Sequence, residues 1–159
     1  MSDELATLRV SQIRRVIGLG VLVALAGLLI QIGMVHPPEG IGYRVLLLGM
    51  GAGALALAEL MRRATARRLI LTGAGLFDDT GREIARIERI TGLDRGMLAF
   101  KPSNGFSLSL TEPLPRAWAP GVWWRFGRRV GVGGVTSAGE AKAMAEILTA
   151  LLQSRSEQR

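Results

Sequence analysis

Three stretches of this sequence carry residue types that could do chemistry. Gly131-Val132-Gly133-Gly134-Val135-Thr136 ends an apolar run just before a helix signal, the place where phosphate-binding loops lie. The P-loop pattern G-x-x-x-x-G-K-[ST], laid on Gly134 to Ala141, finds Gly134 and Gly139. It also puts Glu140 where the lysine must stand, and that charge would repel a phosphate. The dinucleotide pattern G-x-G-x-x-G, started at Gly131, meets Thr136 at its third glycine, with no βαβ unit around it. The stretch reads as a strand-to-helix bend that needs positive φ, and no nucleotide is expected there.

The second stretch is acidic. Asp78, Asp79, Glu83, Glu88 and Asp94 interleave with Arg82, Arg86, Arg89 and Arg95, the pattern of a solvated, mixed-charge surface. No D-x-D-x-D-G loop or H-E-x-x-H helix is present. The chain has no cysteine and one histidine, His36, which excludes disulfides, a thiolate nucleophile and a Cys/His zinc site. We expect no catalytic residue, metal or cofactor.

The third stretch runs from Arg116 to Arg129 and holds all three tryptophans of the chain with four arginines. If Val122 to Phe126 is a strand, alternation puts Trp124 and Phe126 on one face and Trp123 and Arg125 on the other. With Trp124 and Phe126 assigned to the core, Trp123 and Arg125 become the expected contact face for a partner or a membrane. Arg128, Arg129 and Trp118 join it at the rim, because Trp and Arg are the side chains enriched at interface hot spots and bilayer surfaces.

The elements that must position these residues begin with two apolar runs. The chain has 159 residues, 48% apolar, with mean hydropathy +0.29. Val16 to Val35 contains no charge and a single polar side chain, Gln31. As a helix it is about 30 Å long, the thickness of a bilayer's hydrocarbon core. A second run, residues 41–61, keeps its ionisable residues near its ends, with Glu59 three and four residues before Arg62 and Arg63. His36-Pro37-Pro38-Glu39-Gly40 is too short a connection for a domain, so residues 16–61 are expected to form a transmembrane helical hairpin. A signal peptide fits poorly, since the first run is long and no A-x-A-like cleavage site ends it.

Arginines set the expected orientation. Arg9, Arg14 and Arg15 precede the first span and Arg62, Arg63, Arg67 and Arg68 follow the second, against Arg44 alone at the connecting loop. This asymmetry puts both termini, including a short segment at 1–15, in the cytoplasm. Of the net charge of +7, +4 falls before residue 69. The high pI is thus mostly juxtamembrane, which argues against nucleic acid as the partner. Within the spans, Gly49 with Gly53 and Gly20 with Ala24 make small-x-x-x-small pairs suited to close helix packing, against each other or against another membrane subunit. No acid, base or histidine lies mid-span, so an ion or proton pathway is not expected.

After Arg68 the period changes to that of short strands. Leu69 to Thr72, Leu76-Phe77 and, across the turn Asp78-Asp79-Thr80-Gly81, Glu83 to Ile90 lead into Met97 to Lys101 and Phe106 to Thr111. Glu83 to Ile90 is ambiguous between helix and bent strand. Beyond a proline-rich bend, Pro113 to Pro120, come Val122 to Phe126 and Arg129 to Val135 as two more strands. The last element is an amphipathic helix, residues 138–153, opened by the capping box Ser137-Ala138-Gly139-Glu140. Its apolar stripe is Ala141, Met144, Ala145, Leu148, Leu151 and Leu152.

Many short strands followed by one C-terminal helix resemble a pleckstrin-homology-like domain. Arg68-Leu69-Ile70-Leu71-Thr72, then Gly75-Leu76, Ile84 and Ile87, look like the opening of the bacterial PH-like family, in which such a strand often follows a pair of transmembrane helices. Glu83-Ile84-Ala85 stands where that family usually has I-P-L. The expected fold is therefore α+β: a two-helix transmembrane hairpin, then a small PH-like β-barrel or sandwich over residues 69–159 with a C-terminal amphipathic helix. The resemblance implies a non-catalytic accessory, assembly or regulatory protein of the bacterial inner membrane that docks on subunits of a membrane protein complex. The alternatives are a sensor of anionic lipid surfaces and a membrane-anchored enzyme.

Overall fold

The computed structural model describes residues 4–35, 39–95 and 104–157. Strand β1 (Glu4–Leu8) precedes two long helices, α1 (Gln12–Val35) and α2 (Ile41–Ala64). Then come β2 (Leu69–Thr72), β3 (Gly75–Asp78), β4 (Glu83–Arg86), a 3-10 turn at Ile87–Arg89, β5 (Ile90–Asp94), β6 (Phe106–Ala119), β7 (Trp123–Val132) and α3 (Ala138–Glu157). The architecture is α+β. Its strands form two antiparallel sheets, β1-β2-β3-β4 and β5-β6-β7, rather than a closed barrel. The expected strand Met97 to Lys101, and His36 with its two prolines, lie outside the described residues.

Both long helices are long and apolar enough to cross a membrane, and only 11% of each apolar window is buried. A core helix of the same composition would be mostly covered. Here large side chains such as Ile13, Val21, Leu28, Val45 and Met50 face outward, as a lipid-facing surface requires. The helices pack against each other, but not through the expected glycine pairs. Gly20, Gly49 and Gly53 have open space where a Cβ would stand, and Ala24 is exposed. The seam runs instead through Gly51, whose Cβ would come 2.6 Å from Ile30 Cγ1 and 3.3 Å from the Ala26 carbonyl, and through Gly33 against Leu48. Gly51 lies two positions from both members of the Gly49/Gly53 pair, roughly half a helical turn away, so the two glycine sets occupy different faces of α2.

The N-terminal segment departs from expectation. Glu4–Leu8 is not a free tail but a strand of the domain, paired antiparallel with β2 so that Leu8 lies opposite Leu69. Leu8 is 1% exposed. The helical hairpin is therefore an insertion between two hydrogen-bonded neighbours, and both its ends emerge on the same side. Its base is clamped to the domain by Met61, which is buried. A Cβ at Gly18 would come 2.7 Å from the Met61 methyl, and one at Gly121 would come 3.2 Å from it.

Helix α3 buries the expected stripe, Ala141, Met144, Ala145 and Leu148, against β1, β5 and β6. The capping box does not close on itself. The Glu140 carboxylate accepts the Arg9 N–H at 2.6 Å, while the Ser137 N–H donates to the Arg9 carbonyl at 3.0 Å. Residues that would have capped the helix instead tie it to the strand that leads into α1. The glycine stretch before it behaves as a bend, with positive φ at Gly133 and Gly134. Its Gly133 and Val135 N–H groups donate to the Val122 and Gly121 carbonyls. Those donors are spent inside the fold.

Candidate interaction site

Strands β6 and β7 form a long antiparallel ribbon closed by the three-residue loop Pro120-Gly121-Val122, with Gly121 at φ +79°. The strand expected to end at Thr111 runs on to Ala119. The segment read as a proline-rich bend is part of β6. The ladder shifts register between Ser109 and Leu114 and again before Ala117, where Pro113 and Pro115 offer no donor. Likewise Val122 to Phe126 and Arg129 to Val135 are not two strands. One strand, β7, passes through Gly127 at φ +56°.

That glycine reverses the assignment of faces. Val130 and Val132 are fully buried, and strict alternation carried back from them would bury Trp124 and Phe126. A left-handed glycine breaks the two-residue alternation of its strand, so the side chains on either side of it exchange faces. The extra residues of the register shift lie opposite, on β6, which advances five residues from Ser109 to Leu114 while β7 advances two from Arg129 to Gly127. Trp123 is accordingly in the core, 4% exposed, while Phe126 is 56% exposed and Trp124 half-buried. Trp123 therefore cannot be an outward contact residue. Gly127 itself, in a run of strand formers, is the signal that would have located the flip.

Arg125 shares the inward face and is half-buried. Its Nη1 donates to the carbonyls of Glu83 (3.2 Å) and Ile84 (2.9 Å), and its Nε to that of Pro115 (2.9 Å). It joins the two sheets rather than facing a partner. Burial pushes this guanidinium below its ordinary value; Arg82 adds to the effect and Glu83 opposes it. Arg82 lies over the Trp123 ring at 5.6 Å, a cation–π contact at the edge of the core.

The outward face of the ribbon carries Trp118, paired across the strands with Trp124, and Phe126, over which Arg116 lies at 4.2 Å. Trp118 is 61% exposed. It also lines a cavity of about 150 Å3 together with Leu60 and Arg63 of the last turns of α2. The exposed aromatic face thus begins beside the end of the helical hairpin. Arg128 and Arg129 are exposed farther along β7. Of the residues assigned to contact from sequence, Trp118, Arg128 and Arg129 lie at the surface and Trp123 and Arg125 do not. Sequence reasoning missed Phe126 because alternation breaks at Gly127, and Arg116 because its segment of β6 reads as a proline-rich bend.

Among the acidic residues, Asp78 is not part of a solvated surface. Alternation along β3 turns it inward with Leu76, and it is 4% exposed. Its Oδ1 accepts the N–H groups of Thr80 (3.0 Å) and Arg82 (2.9 Å) and the Thr80 hydroxyl, and Arg67 Nη1 stands 3.5 Å from Oδ2. Burial alone would raise this carboxyl; the hydrogen bonds and Arg67 outweigh it and hold it below its ordinary value. Such a group adds stability that is complete above the ordinary aspartate range and lost as pH falls through its lowered folded value. Asp78→Ala should cost about 1.5–3 kcal/mol at neutral pH, the usual range for hydrogen bonds to a charged group. The melting difference between the two proteins should shrink on acidification; a difference independent of pH would show that the charge does not matter. No group of three or more metal-ligating side chains occurs among the described residues. No family model, curated protein or solved structure matches the chain.

Proposed function

We propose that this is a membrane-anchored, non-catalytic interaction module, an accessory or assembly protein whose β domain docks on a membrane protein complex. The observation that carries the reading is the solvent-facing Trp118/Phe126/Arg116 face of the β6–β7 ribbon, which starts at the end of the hairpin. Exposed aromatics beside arginine are expensive for a monomer to leave in water and are the usual anchors of protein interfaces. A partner subunit lying in the same membrane would meet this face without the domain having to reorient. A PH-like fold is supported by the succession of short antiparallel strands capped by one C-terminal helix.

Alanine at both Trp118 and Phe126 should leave thermal stability within about 1 kcal/mol of the parent, since both rings are mostly outside the core. Co-purification of membrane subunits in mild detergent should fall sharply. Unchanged co-purification in the folded double variant would remove the ribbon as the docking face.

The arginine asymmetry at the hairpin ends supports a bacterial inner-membrane location with the β domain in the cytoplasm. A cysteine placed at Ser154 should resist a membrane-impermeant thiol reagent in intact cells, and one at Glu39 should react. The opposite labelling pattern would invert the orientation.

A further inference from the structure

Two helix–strand junctions, 53 residues apart in sequence, lie side by side because β1 and β2 are hydrogen-bonded neighbours. β1 passes through Arg9 into the first turn of α1, which carries Gln12 and Arg15. α2 passes through Ala66 to Arg68 into β2. Together they enclose a cleft of about 380 Å3 lined by Arg9, Gln12, Arg15, Arg67, Arg68 and Asp79 among others. Four arginines and one acidic residue therefore line the cleft.

These arginines are largely uncommitted. Arg67 stands 3.5 Å from Asp78, and Arg15 Nη2 lies 3.5 Å from the Arg62 carbonyl. Arg9, Arg15 and Arg68 form no ion pair among the described residues; Glu140 is held by the backbone N–H of Arg9. Like charges fixed around one cleft by secondary structure repel one another, and the arrangement is relieved when an anion enters. Guanidinium groups suit phosphate because their forked donors match its oxygens. The position names the source. Arg15 is on the first turn of α1 and Arg67 and Arg68 directly follow α2, so the cleft sits where the spans end and lipid phosphates lie.

We propose that this cleft binds the phosphodiester headgroup of an anionic phospholipid from the surrounding bilayer. The inference rests on the membrane-anchored part of the reading above and is independent of the aromatic docking face.

The test uses the full chain in nanodiscs containing equal parts of phosphatidylglycerol and phosphatidylcholine, with retained lipid read by native mass spectrometry after gentle release. Phosphatidylglycerol should be retained selectively. Arg9→Gln with Arg68→Gln, two exposed side chains without ion-pair partners, should reduce that retention on the order of tenfold. Arg86→Gln with Lys142→Gln removes the same formal charge outside the cleft and should not. Equal retention of the two lipids, or equal loss in the two double variants, would overturn the site. Inorganic phosphate and soluble glycerophosphoglycerol form a further arm. Thermal protection by either that matches the effect of the lipid would assign the cleft to a free phosphate and overturn the lipid source. Extraction of the unmodified chain from membranes by alkaline carbonate would instead refute the anchor, separating that failure from failure of the cleft.

Discussion

Trp123→Ala is expected to destabilise the domain by about 3–5 kcal/mol, the cost of removing a large buried aromatic and leaving a cavity behind. The ring is 4% exposed, lines the space beside the end of α2, and lies beneath Arg82. Trp124→Ala should cost less, since that ring is half-buried, and Phe126→Ala should be nearly neutral. Thermal unfolding of the full chain in detergent, followed by protection of the β domain from protease, would rank the three. The informative result is the order. If Trp124→Ala proved the most damaging and Trp123→Ala the mildest, the register of β7 on the hairpin side of Gly127 would be wrong by one residue.

The second large effect concerns the strand that precedes the helices. Leu8 is buried beneath α3 and opposite Leu69, so Leu8→Asp would leave a carboxylate without a partner in the core. Loss of at least about 3 kcal/mol is expected, as for other uncompensated buried charges. The damage should also spread. Without β1, the β2 edge is uncovered, α3 loses its most extensive packing partner, and the Arg9 link to Glu140 and Ser137 is broken. Hydrogen exchange should therefore rise in β2 and α3 together. A response confined to residues 4–8 would show that β1 is an ornament of the sheet rather than part of its core.

How much of this was legible beforehand depends on the range over which each signal acts. The long helices were plain in sequence because bilayer-length apolarity is a property of composition and needs no register. The stripe of α3 was equally plain, since a 3.6-residue period over four turns averages out local accidents. The glycine bend before α3 was read correctly from the conformational freedom of its residues. The strands were harder. A period of two has no redundancy, so a single break in alternation at the left-handed Gly127 exchanged the faces of Trp123, Trp124, Arg125 and Phe126, and with them the candidate contact residues.

Other features belonged to the tertiary structure alone. Nothing in Glu4-Leu5-Ala6-Thr7-Leu8 distinguishes a strand from a tail until β2, more than sixty residues later, supplies the partner edge. Asp78 looked like a turn residue at the surface; its burial follows from the direction β3 takes and from donors that exist only once the β3–β4 turn has closed. Gly49 and Gly53 matched a helix-packing motif, yet Gly51 lies in the seam, because the motif specifies which residues allow close approach and not which face meets the neighbour. Composition and helical period determined the two long apolar helices and the C-terminal helix. Pairing between distant segments decided the rest, because a strand's faces and edges acquire meaning only from the strand beside it.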